Sequence, residues 1–95
     1  MPMLKKGLNK LMEECGELVQ IASKKAAFIK TDVHPDGEGS MKERLEDEIG
    51  DVQAASEFVT ENLNLDKERI RKRAERKLAL FRIWEALPDD PEQGD

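Results

Sequence analysis

The sequence has one cysteine, Cys15, one histidine, no tyrosine and only 4% aromatic residues in a chain of 95. A lone cysteine excludes an intramolecular disulfide and a cysteine-rich metal site. With so few aromatics the chain has few bulky core anchors, which suits thin amphipathic helices. No apolar run approaches the roughly 20 residues needed to cross a bilayer. The opening segment MPMLKKGLNK lacks the apolar core of a signal peptide, so a cytoplasmic, reducing setting with no membrane partner is expected. Positive charge is not in excess either. A net charge of −5 argues against a nucleic-acid polymer as partner, which would call for a basic face. A nucleotide stays open, because a metal ion reconciles carboxylates with phosphates.

Charged residues make up 39% of the chain, and their arrangement is helical. Leu4, Leu8, Leu11, Cys15, Leu18, Ala22, Ala26 and Ile29 recur at steps of three or four, which predicts one long amphipathic helix. The segment TDVHPDGEG, residues 31–39, is dense in turn residues and reads as a loop containing His34. Ser40 followed by Glu43 makes a capping-box pattern. A second helix then follows Met41, Leu45, Ile49, Val52, Val59 and Leu63 to about Asn62. After the turn NLNLD, Asp66 caps a third helix through Ile70, Ala74, Leu78, Phe81 and Trp84 to about Ala86. Pro88 stops it, and residues 88–95 read as a disordered acidic tail. The expected fold is all-α: one domain, residues 1–87, with three main helices completed by oligomerisation.

The stretch LEDEIGDV, residues 45–52, crowds Glu46, Asp47, Glu48 and Asp51 around an apolar seam. Like charges at such spacing destabilise a helix by about 0.2–0.5 kcal/mol per pair. On the first helix Glu14 and Glu17 share one flank of the stripe; on the second, Glu48 and Asp51 do the same. If the helices run antiparallel, the four carboxylates meet at the rim of the interface. Unscreened, they would disfavour one another's ionisation. A hard divalent cation removes that objection, and an all-oxygen donor set suits Mg²⁺ or Mn²⁺ rather than Zn²⁺. The plain alternative is that these acids solvate an exposed face.

LMEECGELVQIASK together with LEDEIGDVQAA resembles the paired E-x-x-E and E-x-x-D motifs of MazG-like nucleoside triphosphate pyrophosphohydrolases, in the all-α NTP pyrophosphatase superfamily. Glu14, Glu17, Glu48 and Asp51 match the motif, with Glu13, Gly16, Ile49, Gly50 and Val52 matching its context. The resemblance covers residues 4 to 85 and is similar to compact phage members. It implies metal-dependent hydrolysis of a nucleoside triphosphate to monophosphate and pyrophosphate, with dGTP or GTP as a first guess. The four carboxylates would be the catalytic metal ligands, holding Mg²⁺ or Mn²⁺, and Glu13 or Asp47 would steer the nucleophile. It also implies a homodimer or homotetramer, in the host cytoplasm if phage-encoded. Lys77, and secondly Arg73, would bind phosphate, although Glu75 stands where many relatives carry asparagine. Ile21, Lys24 and Phe28 are the weaker candidates for a nucleotide pocket, and Phe58 or Trp84 for stacking on a base. Cys15 reads as a small core residue. Two other readings stay open: a non-catalytic helical interaction module, and a related enzyme acting on another nucleotide such as phosphoribosyl-ATP.

Overall fold

The computed structural model describes residues 2–27 and 40–88, with side chains from Lys6 onward in the first segment. It contains three helices, α1 (Pro2–Ala27), α2 (Met41–Asn62) and α3 (Lys67–Glu85), and no strands among the described residues. The fold is all-α. Residues 28–39 and 89–95 lie outside the described residues, and with them Phe28, His34 and most of the expected tail.

The helix ends follow local chemistry. Ser40 adopts an extended backbone, and its Oγ accepts from the amides of Lys42 (3.1 Å) and Glu43 (3.3 Å). That satisfies donors which the first turn leaves without carbonyl partners. At the other end of α2 the Leu65 amide donates to the Thr60 carbonyl (2.9 Å) and the Asn64 amide to Glu61 (3.3 Å). This is a Schellman cap, and Asn64, at φ 52°, fills its left-handed position. Asparagine tolerates that conformation better than other side chains do. Asp66 caps α3, accepting from the Arg69 amide at 3.0 Å.

α1 and α2 pack antiparallel: Gly7 near the start of α1 lies against Val59 and Asn62 near the end of α2. The α1 seam facing α2 is Gly7, Leu11, Glu14, Leu18, Ile21 and Lys25, all buried or half-buried and spaced four and three. On α2 the matching seam includes Met41, Leu45, Glu48, Val52, Ala55 and Val59. Met41 is wholly inaccessible at 0% exposure, and Ile21, Ala55 and Val59 complete the buried apolar set among the described residues. A Cβ on Gly7 would sit 3.1 Å from Asn62 Nδ2 and 3.4 Å from Val59, so glycine permits the close approach.

This geometry corrects the sequence reading in one respect. The seam is rotated from the expected stripe toward Glu14, leaving Leu8, Met12, Cys15, Val19, Ala22 and Ala26 exposed. Cys15 is therefore a surface thiol rather than a core residue. Two adjacent apolar stripes run along α1 at helical spacing, and hydrophobicity alone does not choose between them. Ile49 is likewise outside the α2 seam, at 43% exposure.

The chain divides into two compact units, residues 1–65 and 66–95. In the second, α3 has no buried residue among those described. Arg71 binds Glu68 on one side and Glu75 on the other, three residues before it and four after. The guanidinium holds the Glu68 carboxyl below the usual carboxylate range. No helix among the described residues is long and apolar enough to cross a membrane.

Candidate metal centre

The antiparallel pairing sets Glu14 and Glu17, one turn apart on α1, against Glu48 on α2. One carboxylate oxygen from each of the three lies within 4.8 Å of the others. Two oxygens across an octahedral Mg²⁺ stand about 4.2 Å apart, twice the metal–oxygen distance, so the span is of the right order for one ion.

Glu48 occupies a seam position that an apolar residue would normally take, and it is only 8% exposed. Its Oε1, like Glu14 Oε1, is buried and has no hydrogen-bond partner among the described residues. A buried oxygen of this kind carries its full desolvation cost unless a ligand meets it. Burial is the largest influence pushing the Glu48 carboxyl up, to about 8. Hydrogen bonding with Glu17 and Asp51, and the charges of Glu17 and Glu14, add to it. Glu14 is also raised, first by desolvation and then by the charges of Glu17 and Asp51. Acidic crowding around buried oxygens is the condition in which a hard cation is most favourable. The donor set therefore fits Mg²⁺ or Mn²⁺: three carboxylates converge, and among the described residues no imidazole or thiolate joins them.

Asp51 is close enough to act on both Glu14 and Glu48, but it stands outside the converging triad and is exposed. Glu13 pairs with Lys10 at 3.4 Å on the surface, whereas Asp47 lines the cleft beside Glu48.

Two clefts flank the triad. One, of about 250 Å³, is lined from α1 by Glu17, Gln20, Ile21 and Lys24, and from α2 by Arg44, Asp47 and Glu48. Ile21 and Lys24, expected near a nucleotide, are thus brought to the carboxylates. The other, of about 270 Å³, is lined by Lys10, Glu14, Asp51, Ala54, Ala55 and Phe58. Arg44 and Lys10 were not singled out from the sequence. The available signal was spacing: Arg44 precedes Glu48 by four residues and Lys10 precedes Glu14 by four, which puts each pair on one helix face.

On α3, Lys77 and Arg73 are exposed. Arg73 joins Arg69, Lys72 and Arg76 around a basic depression of about 450 Å³ on that helix. Glu75 is engaged by Arg71. Trp84 is 71% exposed.

Comparison of the chain with protein-family models, with curated proteins and with solved structures finds no match.

Proposed function

We propose that the chain is a Mg²⁺- or Mn²⁺-dependent pyrophosphohydrolase that cleaves a nucleoside triphosphate, dGTP or GTP first among candidates, to the monophosphate and pyrophosphate. The observation that carries this reading is the buried Glu48 carboxylate, one oxygen of which has no partner among the described residues, converging with Glu14 and Glu17. The resemblance of the two acidic motifs to MazG-like enzymes supplies the reaction class. A divalent cation held by these carboxylates neutralises charge on phosphate oxygens and lowers the pKa of bound water. Glu14, Glu17 and Glu48 hold the ion, and Asp51 supports them from the side of the second cleft. Asp47 is the carboxylate better placed to orient a nucleophile, since it lines the first cleft while Glu13 is paired with Lys10.

Assembly into a homodimer or homotetramer belongs to the same proposal. Its support is the apolar surface left exposed: Met12 and Val19 on α1, and Phe81 and Trp84 on α3. In such an assembly Lys77 and Arg73 of α3 are the candidate phosphate ligands. That exposed stripe on α1 also favours a second reading, a helical module that binds another protein and hydrolyses nothing.

Product analysis separates these readings. Incubation with the common ribo- and deoxyribonucleoside triphosphates and Mn²⁺, followed by phosphorus NMR, is expected to show pyrophosphate and a monophosphate. Orthophosphate with a diphosphate would contradict the reaction class. Turnover of phosphoribosyl-ATP alone would move the substrate to that nucleotide.

A further inference from the structure

The net charge of −5 conceals a segregation. α3 carries eight Lys and Arg against three Glu in its 19 residues, a balance of +5, which leaves −10 on the rest of the chain. Four of those cations share one face. Arg69, Lys72, Arg73 and Arg76 fall within an arc of about 100° on the helix, all exposed, and together they line its basic depression.

The acids of α3 do not answer them. Glu68 and Glu75 both engage Arg71, and Glu85 stands about two and a half turns beyond Arg76. None of the four cations makes an ion pair among the described residues. Arg69 faces Lys72 and Arg73, and Arg76 faces the same two, at the three- and four-residue spacings where like charges destabilise a helix. Arg69 also sits in the first turn, where the helix dipole disfavours a cation. The stripe is therefore costly to the isolated helix, and an external polyanion would remove that cost.

The form of the stripe narrows the polyanion. It runs about 10 Å along the axis, a length of duplex that carries about six phosphates. A protein helix offering acids at matching positions would suffer the same like-charge repulsion, whereas a phosphodiester backbone carries its charge density covalently. Three of the four cations are arginines, whose planar fork suits phosphate oxygens. Lipid insertion is a poorer fit, because it needs one apolar face along the helix. The exposed Leu78 and Leu80 lie on nearly opposite sides of α3.

We propose that the Arg69–Lys72–Arg73–Arg76 face of α3 docks on the sugar–phosphate backbone of a nucleic acid, without reading its bases. The negative balance of the whole chain is thus a poor guide to this helix. No divalent ion takes part, so the inference stands or falls apart from the carboxylate centre.

The test is fluorescence anisotropy of a labelled, mixed-sequence DNA duplex titrated with the full chain in chelator, at salt from about 50 to 200 mM. Four phosphate contacts predict a slope of log affinity against log salt of about −3 to −4. Arg69→Gln, Lys72→Gln and Arg76→Gln should each lower the slope by about one and weaken binding about five- to tenfold at 0.1 M salt. Their helicity by circular dichroism should hold or rise, since each removes a repulsion. Arg82→Gln, on another side of α3, should leave the slope unchanged. A single strand that binds in place of the duplex, with the same variants affected, keeps the proposal. No binding at about 50 mM salt, or an equal loss in Arg82→Gln, would overturn it. So would tighter capture of polyglutamate or of phosphatidylserine vesicles than of either nucleic acid, pointing to an acidic protein or a membrane instead.

Discussion

A proton and a divalent cation compete for Glu48, and the structure sets the terms of that competition. With its carboxyl raised to about 8, only about one molecule in ten carries the carboxylate at pH 7, and about one in a hundred at pH 6. A cation that needs the ionised form then binds about tenfold below its limiting affinity at pH 7, and about a hundredfold below it at pH 6. Calorimetric titration with Mn²⁺ across this range should show affinity rising about tenfold per pH unit and levelling near 8. At pH 7 about one proton should be released per ion, read from buffers of different ionisation enthalpy. Glu14, raised in the same direction, steepens the acid end. Affinity that stays flat between about pH 6 and 8, with no dependence on buffer, would refute the reasoning. The metal-free protein should show the converse. Its folded form binds the Glu48 proton more tightly than the unfolded form, whose value is 4.5. That stabilisation is complete below the lower value and is lost as pH rises through the upper one. Thermal melts without metal should therefore fall from about pH 5 to pH 8, and saturating Mn²⁺ should reverse the fall.

Other predictions concern the scaffold. Met41→Ala, at the wholly buried first residue of α2, should cost about 2–5 kcal/mol in urea denaturation; a loss under about 1 kcal/mol would mean the α1–α2 seam is not the core. Ser40→Ala removes the acceptor for two amides and should cost about 1 kcal/mol. Gly16 and Gly50 have open space where a Cβ would stand, so alanine at either should add up to about 1 kcal/mol of stability. The gain at Gly7 should be smaller, because its Cβ would press on Asn62 Nδ2; an equal gain at all three would contradict the close approach of α1 to α2.

Much of the fold is legible in the sequence because helix ends are written in local chemistry. Ser40, Asp66 and the residues around Asn64 act within a turn or two of chain, so their roles need no knowledge of the partner helix. Which face of α1 is buried is not local. Leu8–Cys15 and Leu11–Leu18 lie on overlapping stripes, and the buried one is the stripe that carries Gly7, where α2 comes so close that a Cβ would stand 3.1 Å from Asn62 Nδ2. Glu48 misleads a hydrophobicity reading for a different reason. It is a carboxylate in a core position, which folding energetics alone disfavour, so hydrophobicity points to Ile49 instead. The spacing of Glu14, Glu17 and Glu48 was readable, and so was the expectation that they would meet. The clefts are not, because Lys24 and Arg44 line one cleft from different helices and no spacing within either helix relates them. The surroundings of Lys77 and Arg73 depend on what meets α3, a helix whose own side chains are all exposed.

The most direct test of the central claim is pyrophosphate release from dGTP and GTP in Mn²⁺, compared between the unaltered chain and Glu48→Gln. Glutamine keeps the shape of the side chain and removes its charge. The account predicts metal-dependent release by the unaltered chain. It predicts loss of about a thousandfold or more in a variant that is still folded, as for removal of a group that holds the catalytic ion. Release that survives the substitution undiminished would contradict the assignment of chemistry to the Glu14–Glu17–Glu48 centre.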